Sequence, residues 1–292
     1  MDRRLKGKVA IVTGAATGIG EAIAHKFAKE GARVVVNGLE TDPVDDVVEA
    51  MHKHQAEAVG YKGDVADEEH ARRCVQRAID EFGRLDVLVN NAGTFQTVAD
   101  VDDFPAEDFD YMTRMNVRSV FLMTRYAMPH LQKTRGVVLA TGSEAGLLGQ
   151  PRCAPYAGSK AWIHAFVRSI ALEQARHGVR ANCVCPGPTE TQWHDTDVSP
   201  MTDSMEADIL KATPLGRRAT AEEVANVFAF LASDEASFVT GALWFVDGGI
   251  SISRGPVGDE VPEELRHQPE MHLHDLHHTH EGLEGKRVRT IE

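Results

Sequence analysis

Few cysteines, no long apolar run and a deficit of basic side chains exclude several classes of protein. The 292 residues include four cysteines, and their spacing is not typical of a metal site. We therefore expect free thiols in a reducing compartment, the cytoplasm. No apolar run approaches the roughly 20 residues that cross a membrane, and the polar residues 1–6 do not resemble a secretory signal. The formal net charge of −13 argues against a nucleic-acid-binding surface, because neutralising phosphates requires lysine and arginine.

Two of the cysteines, Cys183 and Cys185, stand in residues 179–185, whose apolar pattern predicts a β-strand. We interpret their alternation along this strand as placing the two thiols on opposite faces. Cys74 and Cys153 lie in other parts of the chain. None of the four is expected to bind a metal.

Short apolar runs alternate with helical patterns through about residue 250. The predicted strands are residues 8–13, 31–37, 58–63, 85–90, 136–140, 179–185 and 242–246. This alternation predicts an α/β fold, a Rossmann-like doubly wound parallel sheet of about seven strands with helices on both faces. We assign residues 1–253 to this single dinucleotide-binding domain. Residues 254–292 form a His-rich C-terminal extension, which we expect to dock across a subunit interface.

Helical patterns fill the intervals between the strands. The predicted helices are residues 21–30, 43–55, 68–82, 107–131, 156–177, 203–212 and 221–233. Asp67 can cap one of them, because an aspartate before a helix accepts hydrogen bonds from free backbone N–H groups. Thr220 and Glu223 have the capping-box spacing at the start of another. Residues 192–215 are interpreted as a mobile lid over a substrate.

A strand, a glycine-rich turn and a helix follow one another at the start of the chain. The strand at residues 8–13 leads directly into Gly14, Gly18 and Gly20. Glycines let the backbone approach a pyrophosphate, and a helix N-terminus offers free N–H groups and the positive end of its dipole. This context favours a dinucleotide site over an ordinary tight turn.

The end of the second strand bears on the choice between NAD and NADP, because an acidic residue there binds the ribose 2′-hydroxyl. The sequence at this end is Asn37, Gly38, Leu39 and Glu40, with no arginine or lysine for a 2′-phosphate. Thr17, inside the glycine turn, is not basic either. Glu40 would repel a phosphate, so we expect NAD, with NADP as the alternative.

Tyr156 and Lys160 are four residues apart, so on a helix their side chains share one face. A phenol titrates near ~10, and a neighbouring ammonium is expected to lower that pKa. Such a group can exchange a proton in carbonyl–alcohol chemistry. Ser143 follows the apolar residues 137–140 and could hold the reacting oxygen. The pair alone is a weak signal, since a helical tyrosine and lysine are commonly a half-buried ring and a solvated charge.

Two segments carry asparagine side chains at positions that could serve the site. Asn116 stands among apolar residues, where an amide must be hydrogen-bonded. It either fills a packing defect or organises a chain of water. Asn90, Asn91, Ala92 and Gly93 follow the fourth strand, and small residues with an amide there would admit an adenosine or ribose. A plain turn is the alternative.

Ligands of parallel sheets bind beyond the carboxyl ends of the strands. The glycine turn, Asn91, Ser143 and Pro186-Gly187 each follow a predicted strand end. Their convergence predicts a single site that also includes Tyr156.

Together, these motifs resemble those of the short-chain dehydrogenase/reductase family over about residues 7–250. Thr13 to Gly20 resembles the family's cofactor turn, and Asn90 to Gly93 resembles its strand-four motif. Asp64-Val65 is similar to its adenine contact. Residues 186–191 resemble its nicotinamide-side motif. The departure is at Gly38-Leu39, where the family usually carries its NAD or NADP determinant.

The resemblance implies a role for each catalytic position. Tyr156 would be the general acid/base, and Lys160 would lower its pKa and bind the nicotinamide ribose. Ser143 would position the substrate oxygen, and Asn116 would hold a water that connects Lys160 to solvent. Cofactor contacts would come from Gly14, Thr17, Gly18, Ile19, Gly20, Gly38, Leu39, Asp64, Val65, Asn91, Ala92, Gly93, Pro186, Gly187, Thr189 and Thr191, together with Tyr156 and Lys160.

The implied function is an NAD(P)-dependent oxidoreductase that moves a hydride between nicotinamide and a secondary alcohol or ketone. A 3-oxoacyl-carrier-protein reductase is the runner-up, which would prefer NADP and offer basic residues to the carrier. A nucleotide-sensing binding protein without turnover is the alternative from another class. The resemblance also implies a homotetramer, with the helices at residues 107–131 and 156–177 as interface candidates. We expect a small-molecule alcohol or ketone as partner, and neither nucleic acid nor membrane.

Two further segments leave alternatives open. Residues 272–280 are dense in histidine, and on a helix His274 and His278 would share a face, a spacing that can bind a transition metal. We favour a charged arm there and assign no metal. The substrate pocket is expected at residues 144–153 and 189–212. Its polar candidates, which the sequence does not rank, are Glu144, Gln150, Arg152, Trp193 and His194.

Overall fold

All seven predicted strands form, and they hydrogen-bond side by side in one parallel sheet with the order β3-β2-β1-β4-β6-β7-β8. The strands are β1 (Val9–Val12), β2 (Arg33–Gly38), β3 (Ala58–Lys62), β4 (Val87–Asn90), β6 (Val137–Thr141), β7 (Arg180–Pro186) and β8 (Leu243–Val246), and the short β5 (Thr97–Val98) and β9 (Arg289–Thr290) pair separately. The chain winds outward from β1 to β3 and then restarts at β4 on the other side of β1. A crevice opens at such a reversal. This is a computed structural model that describes residues 3–191, 203–270, 272 and 289–290.

Helices cover both faces of the sheet, so the predicted doubly wound architecture is confirmed. They are α1 (Gly18–Lys29), α2 (Val44–Lys53), α3 (Glu68–Phe82), α4 (Ala106–Thr113), α5 (Ser119–Thr134), α6 (Ala154–Gln174), α7 (Asp203–Ala212) and α8 (Ala221–Ala232). Apolar residues of α1, α2 and α8 pack in one layer, and those of α3, α5 and α6 pack in the other. Among the helices in the described part of the chain, none combines the length and apolar composition that a membrane span requires.

Burial on both faces explains why the strands are continuous apolar runs. In β1, Ala10 and Val12 belong to the layer with α1, whereas Val9 and Ile11 belong to the layer with α3. All four side chains are fully buried. Parallel strands covered on both sides have no solvent face that would require polar residues.

Both predicted helix caps form. The side chain of Asp67 accepts hydrogen bonds from the backbone N–H groups of Glu69 and His70. Thr220 and Glu223 make the complete capping box, in which each side chain accepts from the other residue's backbone N–H. These bonds use N–H groups that have no partner inside the helix.

The long helix predicted at residues 107–131 is continuous but not uniform. A π-helical turn, Arg114–Arg118, joins α4 to α5. Such turns insert an extra residue into a helix and are frequent at functional sites. Here the wider turn contains Asn116.

The prediction that Cys183 and Cys185 point to opposite faces is wrong. Both side chains are buried in the same apolar layer, and their Sγ atoms are 3.8 Å apart. The reason is the strand period of two, which sends every second residue to the same face.

The described part of the C-terminal extension packs against its own chain. Gly258 is buried so closely on α7 that a Cβ there would lie 2.2 Å from the carbonyl oxygen of Leu210. The backbone N–H of His272 donates to Glu222 Oε2 of α8 at 2.7 Å. An arm that crosses a subunit interface stays a prediction. His274 and His278, whose spacing on a helix could bind a metal, lie outside the described residues.

The capping box of α8 gives a direct stability test. Thr220→Ala should lower the free energy of unfolding by about 1 kcal/mol, because the N–H of Glu223 loses its partner. Denaturant unfolding followed by circular dichroism measures the change. Ser169→Ala is the matched control, since this exposed hydroxyl contacts only a carbonyl of its own helix; it should change stability by less than about 0.5 kcal/mol. Equal losses in the two variants would contradict the assigned role of the cap.

Candidate active site

The glycine turn after β1 has a backbone that other groups can approach closely, because no side chains cover it. Gly14 and Gly18 have φ angles of 59° and 57°, in the left-handed region that favours glycine. A Cβ at Gly20 would lie 2.0 Å from the carbonyl oxygen of Gly14. No residue other than glycine fits at position 20 without moving the turn, and the N-terminus of α1 faces the crevice as a result.

Asn91 ties this turn to the neighbouring strands. Its Nδ2 donates to the carbonyl oxygens of Thr13 and Gly14 at 3.2 and 3.1 Å. Its Oδ1 accepts from Thr141 Oγ1 at 2.9 Å. The hydroxyl oxygen of Thr13 in turn accepts from the backbone N–H groups of Asn91 and Ala92. The amide of Asn91 therefore holds the crevice together, in addition to lining it.

One pocket of about 400 Å³ occupies the crevice. It is lined by every residue that the sequence predicted to contact a cofactor, from Gly14 and the glycine turn, through Asp64 and Val65, to Thr189 and Thr191. Ser143, Tyr156 and Lys160 lie on the wall of the same pocket.

Ser143 lies between the phenol of Tyr156 and the carboxyl group of Glu144. Its hydroxyl lies on the pocket wall beside the phenol of Tyr156, whose pKa it tends to lower. Its Oγ also donates to Glu144 Oε2 at 2.7 Å. Phe95 packs against the tyrosine ring, with ring centroids 4.7 Å apart. The serine and tyrosine hydroxyls are therefore positioned so that both can hydrogen-bond to one oxygen atom of a substrate.

Lys160 lies one helical turn after Tyr156 and is buried. Its Nζ donates to the carbonyl oxygen of Thr141 at 3.0 Å and lies 5.6 Å from the centroid of the tyrosine ring. Burial, which disfavours the charged form, lowers the pKa of Lys160 to about 8.

The lowered pKa that the sequence predicted for Tyr156 is not found in this pocket. Loss of water around the hydroxyl raises the pKa of Tyr156, and the nearby Glu144 raises it further. Burial dominates because it removes the water that would stabilise the phenolate.

Asn116 is fully buried and does not line the pocket. Its Oδ1 accepts from the N–H of Thr94 at 2.6 Å, and its Nδ2 donates to the carbonyl oxygen of Thr94 and to Ser159 Oγ. These bonds anchor the strand-four motif, since a Cβ at Gly93 would lie 3.0 Å from Asn116 Oδ1. The amide joins the π-helical turn to α6 behind the catalytic wall, the side of the pocket that carries Ser143, Tyr156 and Lys160.

Two acidic residues of the pocket were missed or left unranked by the sequence analysis. Asp42 lines the pocket, and its Oδ2 accepts from the backbone N–H of Leu39 at 2.7 Å. It stands beyond the strand end where an acidic residue was sought, so only the loop geometry reveals it. Glu144 lines the pocket next to Ser143, and its buried position raises its pKa.

Some of the residues expected on the substrate side line the pocket. Glu144, Gln150, Thr191 and Ile209 line it. Arg152 is not among the lining residues. Trp193 and His194 lie outside the described residues.

Comparisons with known proteins agree with this geometry. The family model described as enoyl-(acyl carrier protein) reductase matches residues 14–251. An uncharacterized oxidoreductase of Thermotoga maritima is 37% identical over 84% of this chain and 97% of its own length. A 3-oxoacyl-[acyl-carrier-protein] reductase of the same organism is 37% identical over 85% of this chain and 100% of its own length. A meso-2,3-butanediol dehydrogenase of Serratia marcescens is 37% identical over 86% and 98%.

The parallel sheet, the glycine turn and the serine–tyrosine–lysine wall define an α/β oxidoreductase. The chain belongs to the short-chain dehydrogenase/reductase family, as the match over most of its length and the similarity of its relatives show.

The depressed pKa of Lys160 makes protein stability depend on pH. Between about pH 8, the folded value, and about pH 10.4, the unfolded value, the unfolded chain binds more protons, so stability rises with pH. Below about pH 8 the buried ammonium costs up to about 3 kcal/mol. Lys160→Met should therefore be more stable than the parent protein at pH 7, and the difference should shrink as pH rises through this window.

Unfolding free energies of the two proteins at several pH values measure the effect. Lys133→Met, at an exposed position of α5, is the control and should show a constant difference. The hydrogen bond to Thr141 lost in Lys160→Met adds an offset, but the slope of the difference is the diagnostic. A difference that does not change with pH would contradict the buried ammonium.

Proposed function

We propose that this protein is a nicotinamide-dependent oxidoreductase that interconverts a secondary alcohol and a ketone. The observation that carries the proposal is that Ser143, Tyr156 and Lys160 line the same pocket as the glycine turn, with Lys160 one helical turn after Tyr156. Two hydroxyl groups on one pocket wall can both hydrogen-bond to the same alcohol or carbonyl oxygen.

The residues present fit a dinucleotide. The positive φ of Gly14 and Gly18 and the lack of space for a side chain at Gly20 leave the backbone open to a pyrophosphate at the N-terminus of α1. Asp64 and Val65 line the end expected to hold adenine, and Pro186 to Thr191 line the end expected to hold nicotinamide. When bound, the nicotinamide ring supplies the acceptor or donor of the hydride.

Each catalytic side chain then has a distinct task. During reduction Tyr156 gives its phenolic proton to the carbonyl oxygen, and during oxidation its phenolate form takes the proton from the alcohol oxygen. Ser143 donates to the same oxygen when its hydroxyl turns away from Glu144, and it fixes the position of that oxygen beside the phenol. Lys160, whose pKa is about 8, can change its charge near neutral pH and so balance the charge that develops on Tyr156.

Glu144 favours a substrate that carries a second hydroxyl group. Its carboxylate is buried beside Ser143, where it accepts hydrogen bonds from Ser143 and Gln150. A hydroxyl on the carbon next to the reacting one could donate to this carboxylate. The substrate class we infer is therefore a vicinal diol or hydroxyketone, which agrees with the named activity of the butanediol dehydrogenase relative.

Tyr156→Phe tests the chemistry. The variant should lose turnover by roughly 10²–10⁴-fold, because only the proton-exchanging oxygen is removed, and should still bind NADH. A panel of diols, sugars and simple secondary alcohols with both cofactors measures turnover, and NADH fluorescence measures binding. Tyr126→Phe is the matched control, since its exposed hydroxyl contacts Glu68 away from the pocket.

The outcomes separate the alternatives from the first screen onward. If the parent protein binds NADH but no substrate shows turnover that depends on Tyr156, the protein is a nucleotide-sensing module. If carrier-bound 3-oxoacyl groups are reduced far better than free diols or alcohols, the carrier-protein reductase is the function. That alternative draws its support from the 37% identity with the Thermotoga maritima reductase.

We propose NAD as the preferred cofactor. Asp42 supports this choice, because its carboxylate lies within 3.0 Å of where a Cβ of Gly38 would stand, on the pocket wall at the end of β2. A carboxylate there can accept from a ribose 2′-hydroxyl and repels a 2′-phosphate. Arg114, which lies close to Asp64, is engaged in an ion pair with it.

Asp42→Asn should raise kcat/KM for NADP relative to NAD by at least about tenfold, because one repulsive charge near the phosphate is removed. The asparagine oxygen can still accept from the N–H of Leu39, so the loop keeps its shape. Asp46→Asn, an exposed neighbour in α2, removes the same charge away from the pocket and should leave the ratio unchanged. A parent enzyme that prefers NADP would contradict the proposal.

We also propose that the protein forms a homotetramer and acts in the cytoplasm. Phe121 of α5 and Leu172 of α6 expose 43% and 83% of their surface on the helices proposed for the interface. Trp162 and Phe166 stack on each other along α6. All four cysteines are free thiols, which supports a reducing compartment.

A further inference from the structure

Three potential metal ligands meet in the core directly behind the catalytic wall. His164 Nε2 lies 3.2 Å from Cys185 Sγ, and Cys185 Sγ lies 3.8 Å from Cys183 Sγ. All three ligand atoms lie within 4.8 Å of one another, and all three residues are buried. The cysteines come from β7 and the histidine comes from α6, so the sheet and the helix that packs on it assemble the cluster.

We propose that this cluster binds one soft, thiolate-seeking metal ion of the Zn²⁺ or Cu⁺ type. Two thiolates and one imidazole form a donor set that selects such ions over Mg²⁺ or Ca²⁺. The spacing of the cysteines in the sequence does not indicate this site. The strand period brings both thiols to one face, and the third ligand is distant in sequence.

The separations suit an ion at the centre. With metal–sulfur bonds of about 2.3 Å and metal–nitrogen bonds of about 2.0–2.1 Å, tetrahedral ligands lie about 3.6–3.8 Å apart. The sulfur–sulfur distance is 3.8 Å, and the nitrogen–sulfur distance of 3.2 Å requires only a small movement of the imidazole. By contrast, a disulfide needs its sulfur atoms about 2.05 Å apart, so oxidation would distort β7.

Gly142 packs directly against the cluster. A Cβ at this position would lie 2.6, 2.7 and 3.0 Å from the ligand atoms of His164, Cys183 and Cys185. The three ligand atoms therefore converge at a point that only a glycine can adjoin. Gly142 also lines the active-site pocket, so a single layer of backbone separates the cluster from the crevice.

Cadmium binding to the full-length protein tests the proposal, because thiolate–cadmium pairs absorb in the ultraviolet and imidazole–cadmium pairs do not. The His-rich extension is therefore silent in this measurement. All proteins carry Cys153→Ser, which removes the half-buried thiol near the pocket. One equivalent of Cd²⁺ should produce a two-thiolate band in the folded protein, and a hundredfold excess of Mg²⁺ should leave it unchanged.

Substitutions assign the ligands. Cys183→Ser and Cys185→Ser should each weaken cadmium binding by more than roughly 100-fold, since even changes around metal ligands cost 10–100-fold. His164→Gln keeps both thiols and should keep the band but require at least about tenfold more Cd²⁺. Cys74→Ser is the matched control, because this thiol is equally buried in the same apolar layer but away from the cluster, and it should change nothing.

The proposal is overturned if the folded protein gives no thiolate band. It is also overturned if the band appears only after unfolding, if excess Mg²⁺ removes it, or if Cys74→Ser removes it as readily as Cys183→Ser. In these cases the cluster is a group of buried side chains that hydrogen-bond to one another and bind no metal. Circular dichroism of each variant verifies folding, and His164→Gln keeps the test decisive if a serine variant fails to fold. None of these readouts depends on enzymatic turnover.

Discussion

The hydrogen bonds of Asn91 are the interaction on which the site depends. One amide holds the carbonyl oxygens of Thr13 and Gly14 on one side and the hydroxyl of Thr141 on the other. The carbonyl oxygen of Thr141, the last residue of β6, accepts a hydrogen bond from the ammonium of Lys160. The glycine turn that would carry a cofactor and the lysine of the catalytic wall are thus fixed in one frame. Such a frame is possible because parallel strands end at the same edge of a sheet.

Much of the fold and of the site could be predicted from the sequence, because those features depend on local patterns. Strands buried on both faces are apolar runs, and the caps at Asp67 and Thr220 are defined by neighbouring residues. The pocket collects the predicted cofactor residues because each motif follows a strand end, and this rule holds whatever the details of packing. Ser143 and Tyr156 meet for the same reason: one follows β6, and the other begins the helix that packs against it.

Features that depend on packing in three dimensions could not be predicted. The low pKa of Lys160 and the raised pKa of Tyr156 come from burial, which depends on every element around the pocket. Asp42 reaches the pocket through a loop whose shape no motif encodes. The meeting of Cys185 with His164 is a different case. The thiol faces were misassigned by a wrong use of the strand period, and the histidine partner needed the helix–sheet packing to be known.

Burial also explains why the charges of this wall must be considered together. A dry pocket makes the phenolate of Tyr156 and the ammonium of Lys160 each unfavourable, so the neutral forms of both are favoured in isolation. A proton that leaves Tyr156 creates a negative charge for which a protonated Lys160 is the natural partner. The two titrations are therefore coupled, and an apparent pKa of activity would belong to the pair. The carboxyl group of Glu144, whose pKa burial raises, lies beside Ser143 and adds a third titrating group to this wall.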